Sequence, residues 1–171
     1  MSHTLYRSPA IVIAHSPRGE ADRVVTLFTC DHGLVRTRVQ SVRTAGSRLR
    51  YGVQFLAMGE YEYVRGKHTW RLTGAHGVSY PDAGLIGEGI AHVCSDIVRL
   101  MQPEEPNTAI YQELVSLAHN ASTKYEIAQA RGRILSELGY VDLSALPAEC
   151  DQSTYPTFIR IFEQGLAAAH L

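Results

Sequence analysis

The hydrophobic pattern of this chain changes period once, near residue 80. Up to that point apolar and polar residues alternate in short runs separated by Gly-containing turns. Beyond it Ala, Leu, Ile and Glu recur at helical spacing. Alternation with period 2 builds half-buried strands, and recurrence every three to four residues builds amphipathic helices. The order of the two patterns predicts an α+β chain, with a β domain over residues 1–80 and an all-α domain over residues 81–171.

Charge divides at the same place. Residues 1–80 carry 11 Lys+Arg against 5 Asp+Glu and residues 81–171 carry 5 against 12, so a net charge of -1 conceals a half at +6 and a half at -7. Such an asymmetry points to different partners for the two halves, the basic one meeting an anion. The longest apolar run near the N-terminus, Ala10 to Ala14, is too short for a signal-peptide core or a membrane span, so a cytoplasmic protein is expected. Cys30, Cys94 and Cys150 are odd in number, widely separated and without a CxxC pair. That excludes a disulfide framework and argues against zinc; no metal or cofactor is expected.

Within the first half, Ala10 to His15 is a β-branched run followed by the turn residues Ser16-Pro17-Arg18-Gly19. Asp22 to Thr29 alternates, with Val24, Thr26 and Phe28 opposing Arg23, Val25 and Leu27. After Asp31-His32-Gly33, Leu34 to Val42 alternates again. A polar stretch, Arg43 to Gly52, precedes a long strand or bent pair over Val53 to Val64, and Gly66-Lys67-His68 turns the chain into Thr69 to Val78. Five short strands with Gly-containing turns predict a barrel, and five in about 80 residues suit the OB-fold, a barrel used for oligonucleotides. Gly59 and Gly74, inside strands, are expected at bulges or corners.

In the second half, Ile90, Val93, Ile97, Leu100 and Met101 form a helical stripe ended by Pro103 and Pro106. Asn107 is placed to cap a helix presenting Ile110, Leu114, Leu117 and Ala118. Thr123-x-x-Glu126 is a capping-box pattern that starts a third helix, with Gly139 at its C′ position. A last helix is expected from Pro156 to Ala169, burying Phe158, Ile161, Phe162 and Leu166.

Nucleic-acid binding needs cations that follow phosphates and flat side chains that stack on bases. The candidates are Arg36 and Arg38 on one strand face, Arg43, Arg48 and Arg50 on the polar loop, Lys67 and Arg71 around the last turn, and Tyr51 as a stacking residue. Trp70, Tyr61 and Tyr63 are flat side chains better suited to a barrel core. The set Gly19-Glu20-x-Asp22-Arg23 reads as a turn held by a local carboxylate–arginine pair. Gly84-x-x-Gly87-x-Gly89 lacks the context of a phosphate loop. There is no nucleophile elbow, no HExxH and no telling pair of acids, so no enzyme is expected.

The run Gly19-Glu20-Ala21-Asp22-Arg23-Val24-Val25-Thr26-Leu27-Phe28-Thr29, followed by His32-Gly33-Leu34-Val35-Arg36, resembles the signature of the RecO recombination mediators. Gly59-Glu60-Tyr61-Glu62-Tyr63 and Arg65-Gly66 match that family's next strand and turn, and Leu138-Gly139-Tyr140 with Cys150 looks like its later "LGY … C" segment. The resemblance implies an N-terminal OB-fold, a helical domain and a non-catalytic role in DNA repair near the nucleoid. It further implies binding of single-stranded and double-stranded DNA, strand annealing, partnership with RecR and single-stranded-DNA-binding protein, and help in loading RecA. Two departures stand out. Three basic positions of the family's loop are here Gln40, Thr44 and Gly46, and the family's CxxC zinc module is missing, so the chain looks like a shortened member without zinc. The thinner loop supports an alternative, an adaptor whose helical half docks RecR or the tail of single-stranded-DNA-binding protein through Arg99, Lys124, Arg131, Arg133 or Arg160.

Overall fold

Fourteen residues, Leu5–Arg18, form a first strand, β1, that serves two neighbours. Its C-terminal part pairs antiparallel with β2 (Asp22–Thr29), and its N-terminal part, Leu5 to Ile11, pairs antiparallel with β4 (Met58–Arg65). A bulge between Val12 and Ala14 bends it from one partner to the other. β3 (Gly33–Val39) and β5 (Trp70–Ser79) complete a closed barrel in the order β1-β2-β3-β5-β4, with β3 and β5 parallel and the other pairs antiparallel. This is the OB-type barrel, and with the helices that follow it the fold class is α+β. The structure, a computed structural model, describes residues 4–42, 46–67, 69–81 and 87–168.

Alternating residues of the five strands fill the interior: Val12, Val25, Leu27, Val35, Val39, Tyr61, Tyr63, Trp70 and Leu72 all belong to one buried cluster. The cluster also takes in Val42, Val53 and Ala57 from the β3–β4 connection. Here the strand bounds differ from the sequence expectation. The apolar run from Val53 plugs the barrel and forms no strand of its own, although at its end Ala57 O accepts the Val12 N–H at 2.9 Å. Leu56 turns the chain at φ 63 with its N–H on Val12 O, and β4 begins only at Met58. β3 ends at Val39 because Ser41, at φ 51, gives its N–H to Asp22. Gly59 lies at a register shift between β4 and β5, where a Cβ would come 2.6 Å from His76 O.

The barrel has a second apolar surface, outside. Ile11, Ile13, Phe28 and Leu34 are buried yet lie outside the interior cluster. Residues Cys94–Tyr111 belong to the same compact unit as Met1–Asp82, and they meet this surface. Phe28 packs edge-on against Tyr111 at 5.8 Å, Leu34 bridges to Pro103, and Glu104 N–H donates to Leu34 O at 3.0 Å. Trp70 Nε1–H donates to Glu104 Oε1 at 2.8 Å, and Arg65 pairs with Glu104 Oε2 at 3.2 Å while lying 5.1 Å over the Trp70 ring. Gly33 makes the approach possible: its φ is +64, and a Cβ there would sit 2.1 Å from Glu105 O.

The other compact unit comprises Ala83–Val93 and Gln112–Leu171. The helices are α1 (Gly87–Leu100), α2 (Thr108–Asn120), α3 (Lys124–Glu137) and α4 (Tyr155–Ala168). Asn107 Oδ1 accepts the Ile110 N–H, and Thr123 with Glu126 forms the full capping box at the start of α3. Gly139 follows α3 at φ +80. Gly132 lets Leu146, Phe158 and Phe162 close on α3, and a Cβ on Gly165 would strike Tyr140 O at 2.2 Å.

Gly33 and Gly19 separate the two costs of a side chain in the left-handed region. Both have φ +64, but nothing lies within 4 Å of a Cβ on Gly19. Gly19→Ala should destabilise the protein by about 1 kcal/mol through conformation alone. Gly33→Ala should cost about 2–3 kcal/mol or more, because the clash with residue 105 adds to it. Urea unfolding of the two variants checks this; equal losses would contradict the close approach.

Candidate nucleic-acid interface

The register of β3 on β5 gathers part of the predicted cation set. Arg38 opposes Arg71, and Arg36 lies two residues before Arg38 on the same outward side of β3. Arg36 and Arg71 are exposed, as is Lys67 in the turn between β4 and β5. On the neighbouring strand β2, Val24 and Thr26 stand opposite Arg38 and Arg36. Leu34, two residues before Arg36 on the same strand, is buried by the Pro103–Glu104 segment, so the open part of the face begins at Arg36.

The second part of the set lies on the β3–β4 connection. Arg48, Arg50 and Tyr51 are exposed there, Tyr51 by 73%. This stretch packs against the later half of β5: a Cβ on Gly52 would meet Ala75 and Val78, and the Tyr80 hydroxyl donates to the Tyr51 carbonyl. Gly52, next to Tyr51 in the chain, thus lies against the end of β5 opposite to the one that carries Arg71. Arg43 lies outside the described residues. Trp70, Tyr61 and Tyr63 are in the barrel interior, with the Tyr61 hydroxyl donating to Gly52 O at 2.7 Å, and they offer no face to a base.

Charge on this surface is not uniformly available. Arg38 donates from Nε and Nη2 to Asp22 Oδ2 at 2.8 and 2.5 Å, and Ser41 N–H donates to Asp22 Oδ1 at 2.9 Å. The carboxylate–arginine pair read from Gly19-Glu20-x-Asp22-Arg23 therefore exists, but across the β2–β3 ladder with Arg38 rather than locally. The Ser41 N–H and then the Arg38 guanidinium hold the Asp22 carboxyl below its usual value. Arg7 is tied to Glu60 at 2.6 Å, and Arg65 to Glu104. Among the described residues, Arg36, Arg48, Arg50, Lys67 and Arg71 form no ion pair.

The same motif supplies the end of the barrel. Thr29 Oγ1 accepts the His32 N–H and donates to Gly33 O, both at 3.0 Å, which fixes the turn. The His32 ring then lies edge-on to Tyr6 and Tyr63, with Nδ1 2.7 Å from the Tyr63 hydroxyl. Tyr6, His32 and Tyr63 thus pack as one aromatic cluster. Among the described residues no group of three His, Cys, Asp or Glu side chains is placed to hold a metal ion. Burial pushes the Cys94 thiol up to about 12, so it stays protonated at neutral pH.

In the helical unit, a cleft of about 320 Å³ is lined by Gln129, Arg133, Leu143, Leu146, Pro147, Ala148 and Phe158. Arg133 is held at its edge by Glu113 at 2.6 Å. Lys124 lies over the rings of Tyr125 and Tyr155, and Arg131 over Phe162. Arg99 and Arg160 are exposed. No described helix is long and apolar enough to cross a membrane.

Sequence reasoning missed Tyr80 as a support for Tyr51 and Glu104 as the partner of Arg65 and Trp70. Neither carries a local signal, since each acts across a long sequence separation.

Comparison with known proteins is consistent in its direction. Residues 1–80 match the family model described as "Recombination protein O N terminal". The chain is 29% identical over 155 residues to "DNA repair protein RecO" of Heliobacterium modesticaldum, covering 86% of this chain and 56% of that protein. It is 30% identical over 115 residues to the protein of that name from Dehalococcoides mccartyi, covering 65% and 46%. A match to the Bifidobacterium longum subsp. infantis protein of the same name extends over 174 residues at 25% identity, covering 95% and 72%. The chain thus spans about half the length of the first two relatives.

The Asp22–Arg38 tie predicts a pH-dependent stability. A carboxyl whose folded value lies below its unfolded 3.8 contributes stability that is full above 3.8 and is lost as pH falls through the lowered value. Asp22→Asn should therefore lower the urea midpoint at neutral pH, and the gap to the parent should close on acidification. A gap that stays constant into acid would show that the carboxylate charge is not what matters.

Proposed function

We propose that this chain, whose residues 1–80 match the RecO N-terminal family model, is a RecO-family protein that acts in DNA repair and recombination by binding single-stranded DNA on the outer face of its barrel. Double-stranded DNA is a second ligand of the same cations. The observation that carries the reading is the set of exposed cations without carboxylate partners among the described residues, Arg36 and Arg71 on adjacent strands, Lys67 in the turn before β5, and Arg48 and Arg50 on the β3–β4 connection. Such cations replace the counterions condensed on a phosphate chain, so binding is driven by counterion release and reads no base sequence. No bond is made or broken. Neutralising the backbone also reduces repulsion between two strands, which is the physical requirement for annealing them. In the proposed role the chain works with RecR and single-stranded-DNA-binding protein and promotes RecA loading indirectly.

An adaptor reading is favoured by one observation, the cleft beside Arg133 with Leu143 51% exposed at its lining. There the helical unit would dock RecR or the tail of single-stranded-DNA-binding protein, and the barrel would contribute little affinity.

Salt titration separates the two. Five phosphate contacts give a slope of log K against log salt of roughly -3.5 for a single strand, and each lost contact reduces it by about 0.7. Replacing Arg36 and Arg71 by Ala should flatten the slope by about 1.4. Asp22→Asn, which releases Arg38, should steepen it. A parent protein that fails to bind oligonucleotide at low salt while capturing the tail peptide supports the adaptor and overturns the DNA-binding reading.

A further inference from the structure

We propose that Tyr51 is a stacking platform for one unpaired nucleobase, and that Tyr80 is the residue that positions it. This rests on the nucleic-acid reading above and goes beyond it: cations that follow phosphates do not separate single strands from duplex, whereas a ring that needs an open base face does.

Tyr51 is 73% exposed, the most exposed of the large apolar side chains among the described residues. A tyrosine at a mobile loop tip would carry no such inference, but the Tyr51 backbone is held from several sides. Its carbonyl accepts from the Tyr80 hydroxyl and from the Gln54 N–H. The preceding carbonyl, of Arg50, accepts from Gln54 Nε2 at 2.7 Å. The following residue, Gly52, lies flush on β5, where a Cβ would come 2.9 Å from Ala75 Cβ, and its carbonyl accepts from the buried Tyr61 hydroxyl at 2.7 Å. The ring is thus presented to solvent from an anchored backbone, and no rotamer-rich loop has to be ordered when a ligand arrives.

Its neighbours specify the ligand. Arg48 and Arg50 precede it closely in sequence, are exposed, and form no ion pair among the described residues. An aromatic face beside two available guanidinium groups is complementary to a base and its adjoining phosphates. Tyr80 is itself 47% exposed, and its hydroxyl is committed to the Tyr51 carbonyl. Its role is therefore to hold residue 51 in place.

The test is equilibrium binding of the full chain to a fluorescent oligothymidine and to a duplex of equal length. Tyr51→Ala should weaken the single strand about tenfold and the duplex by less than about twofold, with an unchanged salt slope. Tyr51→Phe and Tyr51→Trp, which keep a ring, should retain single-strand affinity, and the new indole should be quenched by the oligonucleotide. Tyr80→Phe should lower the single-strand affinity alone, without moving the unfolding midpoint. If Tyr51→Ala affects both ligands equally or neither, the inference falls while the cation reading stands. If the parent binds neither ligand at low salt, both fall together.

Discussion

Closure of the barrel through β1 is the constraint on which the rest depends. One strand of 14 residues pairs with β2 and with β4, and a single bulge lets it turn between them. Because the strands close on themselves, alternate residues are forced to opposite sides, and the interior fills with Val25, Leu27, Val35, Tyr61, Tyr63 and Leu72. The outward side of β3 and β5 is then determined as well, and Arg36, Arg38 and Arg71 have no other place to go. The proposed interface is a consequence of the fold rather than an addition to it.

Closure alone leaves an apolar outer surface at Phe28 and Leu34. The segment around Glu104 covers it, and the cover is tight enough to exclude any side chain at Gly33. Here the acidic half of the sequence serves the basic one. Glu104 holds Trp70 and Arg65, just as Asp22 holds Arg38 and Glu60 holds Arg7. The described cations of the barrel thus sort into those tied to carboxylates and those that form no ion pair. Asp22 and Glu60 are already counted in the +6 of residues 1–80, and Glu104, from the other half, offsets one charge more.

The sequence made legible whatever local chemistry determines. The bounds of β2, the capping box at Thr123 and Glu126, the Asn107 cap and the left-handed Gly139 all lie within a few residues of their cause. What depends on distant partners was not legible. The ends of β1 are exposed and carry no apolar alternation, so pairing that extends to Leu5 and Arg18 leaves no pattern. Val53 is apolar because it plugs the barrel, which reads like a strand from sequence alone. In the candidate site, the exposure of Arg36, Arg48, Arg50 and Tyr51 follows from alternation and loop composition, whereas the ties of Arg38 to Asp22 and of Tyr80 to Tyr51 span 16 and 29 residues. Gly33 announced a turn, but not the neighbouring backbone that makes it irreplaceable.

The most direct measurement of the central claim is a residue-resolved amide NMR titration of the full chain with a short oligothymidine. The account predicts shifts concentrated at residues 36, 38, 48, 50, 51, 67 and 71, with the barrel interior and helices α2 to α4 unmoved. Shifts confined to the cleft near Arg133, or spread evenly over the surface, would contradict it.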